Sequence, residues 1–328
     1  MAVDAYGYTL DEVQALEGRR AEAPLRATLR ALLRRKIACL ALAYILLFYL
    51  CGIFAPAIAP YSYSKQNLSK TAVLQGPSLK HPLGTDRLGR DMLSRVIYAT
   101  RTTLLISVAT TLAGSFIIGV GLGLLAGYYG GWIDSLINRL GEMFGSLPDL
   151  LIIILLSATL RPRFDAWIRH AYSWPLIGSN LRTGIADIFF VFLVLTAIDW
   201  VGDERLIRSQ VLAVRATDYV LAAEAMGAST WRILWHHIFP GVRHLVVLGV
   251  TTSLGAVALS EIALSFFGLG VREPTPSFGA MIFDGSGLRQ LQAHPHMLLA
   301  PGIIAVLFFL SFALLGDALN DVLNPQTR

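Results

Sequence analysis

The sequence predicts an all-α, polytopic membrane protein with six transmembrane helices, and three observations carry that prediction. The 328 residues are 55% hydrophobic and only 15% charged, against about 25% charged in ordinary soluble domains. No Asp, Glu, Lys or Arg occurs in 37–59, 102–133 or 290–316, and about 20 apolar residues are enough for a helix to cross a bilayer. The 27 Lys and Arg residues outnumber the 22 Asp and Glu, and many of them flank apolar segments, where they suit headgroups and orient the chain. This pattern excludes a disordered chain, a disulfide scaffold and a nucleic-acid binder.

Taken in order, the elements are as follows. Residues 1–36 are a cytoplasmic tail holding Arg19, Arg20, Arg26, Arg30, Arg34, Arg35 and Lys36, with Leu25, Leu29, Leu32 and Leu33 at helical spacing. It reads either as an amphipathic helix on the inner leaflet or as the charged flank of the first span. With that polar stretch leading, the first apolar run is expected to stay as an anchor and not as a cleaved signal. Span 1 covers about 37–59 and ends at Pro56 and Pro60; with its external loop it forms a unit of 37–101. Its two cysteines, Cys39 and Cys51, lie about 18 Å apart on one helix, too far to bridge.

The core, 102–321, carries the other five spans, and 322–328 is a short tail. Span 2, about 102–128, has Gly119, Gly123 and Gly127 every fourth residue, a face that lets another helix come close, within the chain or from a second subunit. Span 3, about 137–160, carries Pro148 and Asp149 midway. A polar stretch, 161–186, holds Arg161, Arg163, Arg169 and Arg182. With Trp167, Tyr172 and Trp174 it is expected outside, against headgroups or a partner. Span 4 (about 187–202) is short, with Asp187 and Asp199 near its ends; span 5 is about 245–268 and span 6 about 297–316. Close to span 1, five basic residues from Arg26 to Lys36 face Lys65 and Lys70 across it. That bias places both termini, and the loop 203–244, in the cytoplasm.

That loop is the most informative segment. Thr217 is placed to cap a helix over Asp218–Met226, and Gly227 stands where a left-handed residue stops one. Ser229 is placed to cap a second helix, Thr230–Phe239, which Pro240 ends, with Trp231, Leu234, Trp235 and Ile238 as its apolar stripe. The result is a compact knob whose Ala222, Ala223, Ala225 and Ala228 let another surface approach.

The run from Asp218 through Ala222, Ala223, Glu224, Gly227, Ala228 and Ser229 to Ile238 and Pro240 resembles the coupling-loop signature of ABC importer permeases, with Leu221 where the signature has a glutamate. His81–Asp91, Leu264–Gly270 with Pro274 to Gly279, and Leu315–Asp321 resemble motifs of the dipeptide/oligopeptide/nickel branch. The 161–186 stretch departs from that pattern by its length. The resemblance implies a type I importer permease fold. It also implies a second permease subunit (a heterodimer), two ATPase subunits that bind ATP and Mg, and an extracytoplasmic substrate-binding protein. Ala222, Ala223, Glu224, Gly227, Ala228 and Ser229 would then be the ATPase contact. Substrates implied are peptides, with nickel and glutathione also open.

Other residues carry alternatives. Asp149 and Glu261 are the most deeply placed ionisable groups. They either line the substrate path or satisfy helix contacts, since a mid-bilayer charge costs roughly 2.5–3.5 kcal/mol on insertion scales. His294 and His296 are too few ligands for a metal. His81–Asp91 either meets the binding protein or fastens the fold through Asp86 and Asp91 with Arg87 or Arg90. No Gly-x-x-x-x-Gly-Lys-Ser/Thr or His-Glu-x-x-His motif occurs, and Ser286 lies in a loop, so neither a catalytic site nor a cofactor is expected on this chain. The rival function is an ion-coupled secondary transporter, which ordinarily shows inverted repeats; a scaffold protein is the third reading.

Overall fold

The computed structural model describes residues 31–171 and 184–323; most of the N-terminal tail, with Tyr172, Trp174 and Arg182, lies outside them. Helix α1 (Lys36–Ile53) buries Ala38, Ala41, Ile45, Phe48 and Gly52 along one face. Phe54 caps it, and Pro56 starts a separate short turn, Ala55–Ile58. Helix α2 (Met92–Tyr129) begins about ten residues before the apolar run, because Asp91 caps it by accepting from the Ser94 N–H at 2.7 Å. Its middle, Thr111–Val120, is a π-helical stretch.

The expected third span is broken. Gly131–Gly145 (α3) and Asp149–Ala171 (α4) meet at an 87° bend. Pro148 disfavours helical geometry at Leu147 and has no N–H to donate, while Asp149 sits in the first turn of α4, where the helix dipole favours a carboxylate. Helix α4 continues through residues expected to form a polar stretch, and Arg161 on it is buried.

Helix α5 (Ile185–Arg215) has 31 residues, far longer than the expected 187–202. Asp199, Asp203 and Glu204 lie within it and not at its ends. Helix α6 (Asp218–Ala225) and the start of α7 (Thr230–Phe266) form the knob. Pro240 does not end the second knob helix as expected. A π-helical turn, Ile233–Ile238, precedes it and the helix runs on into the membrane; the wider turn removes the close i−4 carbonyl that a proline ring would strike. Helices α8 (Phe278–Gly285) and α9 (Leu288–Ala293) lead to α10 (His296–Leu323). Among the described residues five helices (α1, α2, α5, α7 and α10) are long and apolar enough to cross a membrane, and the bent α3–α4 pair makes up to six.

Two packing units position everything else. On one side α1, α2, α7, α8 and α10 share a core in which Phe48 stacks on Phe308 at 3.8 Å and on Phe278 at 5.8 Å. On the other, α2 and α5 lie almost backbone to backbone. A Cβ on Gly119 would stand 2.9 Å from the Trp200 carbonyl oxygen, one on Gly123 2.8 Å from that of Glu204, and one on Gly127 2.6 Å from the Val211 Cβ. The glycine face is therefore filled by this chain's own α5 and is closed to a second subunit.

Candidate functional site

The knob is built on a corner that only a few residue types permit. At the end of α6 the Gly227 N–H donates to the Glu224 carbonyl at 2.9 Å and the Ala228 N–H to the Ala223 carbonyl at 3.1 Å. This paired bonding closes a helix around a left-handed residue, and Gly227 has φ +77°. Ser229 caps α7, its hydroxyl accepting from the Arg232 N–H at 3.4 Å. Thr217 does not cap through its side chain as expected; its hydroxyl turns back to donate to the Val214 carbonyl at 2.6 Å.

Val220, Ala223, Ile233, Leu234 and Ile238 are buried and seat the knob on α2, α5 and α7. Of the residues expected at the surface, Ala222, Gly227 and Ser229 are exposed, Glu224 and Ala228 are half-buried, and Ala223 is in the core. The apolar stripe also divides. Leu234 and Ile238 point inward, while Trp231 and Trp235 lie outside with ring centroids 5.3 Å apart, since the π turn shifts their register. Met226 is 82% exposed and Trp231 69%, beside exposed Tyr219 and Leu221. Several large apolar side chains exposed on one short loop are the kind of surface that interactions use.

Asp149 and Glu261 are not brought together. Glu261 is fully buried, its carboxylate accepting from the Thr103 and Ser265 hydroxyls at 2.9 Å each, and it lines no described cavity. Asp149 lines a cleft of about 370 Å³ at the α3–α4 bend, with Phe144, Asp199, Arg205 and Ser260. Asp199, which accepts from the Ser253 hydroxyl at 2.8 Å, also borders a second cavity of about 600 Å³ with Asp203, Asp317 and Asn320. Sequence reasoning placed Asp199 near the end of span 4 and Asp203 and Glu204 in the loop beyond it, whereas all three lie within α5. The signal was present in the small residues opposite them: Cβ atoms on Gly114 and Gly249 would stand 3.1 Å and 2.2 Å from the Asp199 and Asp203 side chains.

At the far end the loops are fastened by charge. Asp86 accepts from the backbone N–H groups of Leu88 and Arg90 at 2.8 Å and 2.9 Å, and pairs with both Arg90 and Arg95. Both arginines are buried and also pair with Glu273 in the loop after α7. Burial pushes the Asp86 carboxyl up, but the Arg95 and Arg90 charges and the Arg90 N–H outweigh it and hold it below the usual carboxylate value. Arg161 reaches the same loop, donating to the Gly270 carbonyl at 3.2 Å and pairing with Asp187. Arg272 pairs with Asp165 at 2.9 Å. Arg87 donates to the Asp284 carbonyl at 2.7 Å. His296 lies against the Thr85 carbonyl at 3.4 Å.

The sequence profile of the binding-protein-dependent transport system inner membrane component matches residues 119–328, and that of the N-terminal transmembrane domain of oligopeptide transport permease C matches 23–77. The chain belongs to this family of transport permeases. It is 33% identical to the dipeptide transport system permease protein DppC of Alkalihalophilus pseudofirmus, covering 94% of this chain and 92% of that one. It is 31% identical to the glutathione transport system permease protein GsiD of Pectobacterium atrosepticum, over 93% and 92%. To the oligopeptide transport system permease protein OppC of Mycobacterium tuberculosis H37Rv it is 30% identical, over 91% and 94%. The permease is thus a multi-pass membrane protein of type I importer permease fold, and its family is one of transporters and not of enzymes.

Proposed function

We propose that this permease is one of two transmembrane subunits of an ATP-driven, binding-protein-dependent importer of peptides or related small solutes. The observation that carries this reading is the knob: an exposed apolar tip on a rigidly capped corner, continuous with the membrane helix α7. Helices α5 and α7 flank it directly, so a push on the tip is delivered to two spans. ATPase subunits, holding ATP and Mg, would engage it through Ala222, Glu224, Gly227, Ala228 and Ser229, with Ala223 supporting them from beneath. The names of the relatives support peptides as substrates. The Asp149 cleft would then belong to the translocation path, shared with a related second permease, and both termini would be cytoplasmic. The charge-clamped loops would face the extracytoplasmic binding protein.

The test is reconstitution in vesicles with a candidate partner permease, ATPase pair and binding protein. Uptake that requires ATP, together with crosslinks from Cys at Met226 or Trp231 to an ATPase subunit, is expected. Uptake driven by an ion gradient without any ATPase would instead establish the secondary transporter.

A further inference from the structure

A buried acid on α5 has no partner, and the base best placed to serve it is held by another helix. Glu204 is 0% exposed, and neither oxygen of its carboxylate meets a hydrogen-bond donor among the described residues. Buried charges are ordinarily paired, because burial without a partner is costly. Arg208 stands one turn further along α5, and Glu four residues before a base is the favoured order for a helical pair. Its guanidinium instead grips Asp134 of α3 from two nitrogens, Nε and Nη2, the second at 2.6 Å. Arg205, next in sequence to Glu204, points from another face of the helix, where a Cβ on Gly145 would be 2.9 Å from its Nη2. Two carboxylates therefore compete for Arg208, and only one is served.

The competitors differ in what remains to them without it. Asp134 would keep a hydrogen bond from Asn138 Nδ2 at 2.7 Å and a place in the first turn of α3, where the helix dipole favours a carboxylate. Its side chain is also 20% exposed, so water can reach it. Glu204, sealed in the middle of α5, has no such alternative.

Helix α3 is also built to part from α5. Of its 15 residues only Ile137 and Gly141 are buried. It is jointed at both ends: Gly130 and Gly131 have φ +65° and +55° in succession with open space around them, and the 87° bend to α4 follows its last turn. In that last turn Phe144 and Gly145 wall the cleft that holds Asp149. Helix α5, for its part, places Ile207 and Val211 in the seat of the knob. The Asp134–Arg208 pair is thus a charged tie between the helix that seats the knob and the helix that walls the cleft.

We propose that Glu204 is a positioning residue of the transport cycle, the second seat of Arg208. When α3 swings away from α5, Arg208 leaves Asp134 to solvent and turns back onto Glu204, so that the separated state has its own ion pair. The inference rests on the importer reading and adds the step by which movement at the knob moves the wall of the cleft.

The experiment uses the full importer complex in vesicles, with Cys39 and Cys51 replaced by Ala and spin labels on cysteines placed at Leu136 of α3 and Ser209 of α5, both exposed. Label separation is measured without nucleotide and after trapping with Mg-ATP and vanadate. Wild type should give two different separations, one of them the close approach of α3 to α5. Glu204→Gln should show the close separation under both conditions, and Asp134→Asn should shift both toward the longer one. Because the carboxylate of Glu204 binds nothing in the paired state, Glu204→Gln should melt as wild type does. Its uptake should fall about tenfold in kcat with KM for the loaded binding protein unchanged, and Glu204→Asp should recover part of the loss. Identical separations in a wild-type complex that transports, or a Glu204→Gln complex that switches as wild type does, would overturn the proposal. Failure of Glu204→Gln to assemble would overturn it too, by showing that the paired state already needs the carboxylate. A wild-type complex without ATP-driven uptake would remove the importer reading itself, a result distinct from these.

Discussion

The two ends of the permease are held by opposite kinds of interaction. At the knob, buried Val220, Ile233 and Ile238 provide the seat and backbone bonds around Gly227 shape the corner, while Met226, Trp231 and Leu221 are exposed large apolar side chains. At the clamp, Asp86, Arg90 and Arg95 are buried and bound to one another and to Glu273. An apolar tip associates and releases without leaving a charge stranded. A buried ion network does neither, because removing one partner leaves another unpaired in a poorly solvated place. One end is suited to a contact remade in every cycle, the other to holding loops in register while helices move.

The sharpest way to break that contrast is Arg95→Met. The change keeps much of the volume but removes one of the two arginines that pair with both Asp86 and Glu273, and losses of about 3–5 kcal/mol are typical when one member of a buried pair is removed. The purified complex should unfold at a markedly lower temperature. A melting point within a degree or two of wild type would mean that the clamp is ornamental.

A smaller effect follows from pH. Asp86 is held below its ordinary value of 3.8, so its folded form binds protons less readily than the unfolded chain does. Its contribution is fully present above about pH 4 and is lost as pH falls through the lower, folded value. The stability gap between wild type and Asp86→Asn should therefore be constant from neutral pH down to about 4 and narrow below it. A gap that closes between pH 5 and 7 would contradict the assignment.

Much of this was readable in the residues, and the failures have physical causes. Gly227 and Ser229 were identifiable because a left-handed stop and a hydroxyl cap are local requirements, met in the structure by φ +77° and a bond to Arg232. The apolar runs located the spanning helices for the same reason. Helix ends were misread wherever a charge was taken as a boundary. Asp199 and Asp203 sit inside α5 because Ser253 and the bare backbones of Gly114 and Gly249 accommodate them, and those partners are distant in sequence. Pro240 misled in the opposite sense, since the π turn that lets α7 run through it has no compositional marker. Depth alone left Glu261 open between the substrate path and a helix contact; its carboxylate accepts from Thr103, 158 positions away in the sequence.

At the knob the expected losses are functional more than structural. Gly227→Asp puts a charge beside exposed Met226, in a patch suited to apolar contact. Gly227 itself is exposed and a Cβ there meets nothing within 4 Å, so the subunit should insert at normal levels while uptake falls at least tenfold, equivalent to about 1.4 kcal/mol of lost coupling. On the proposed function the signal crosses the same contact in both directions, so ATPase stimulation by the loaded binding protein should fall with it. Normal uptake by this variant would show that the corner is not where ATPases engage.

The smallest effect separates backbone from surface at the same residue. A Cβ at Gly227 meets nothing within 4 Å, so Gly227→Ala neither clashes nor adds charge. Its only cost is the left-handed conformation at φ +77°, on the order of 1 kcal/mol. That cost falls on the corner alone, since Ser229 still caps α7 and the buried seat of Val220, Ile233 and Ile238 is untouched. Uptake by Gly227→Ala should drop only a few-fold, and raising the concentration of ATPase subunits in the reconstitution should recover much of it by mass action. The Asp variant should not recover in the same titration, because its defect is a mismatched contact and not a strained turn. If both variants respond alike, the corner matters only through its backbone geometry, and the exposed apolar tip has no part in the contact.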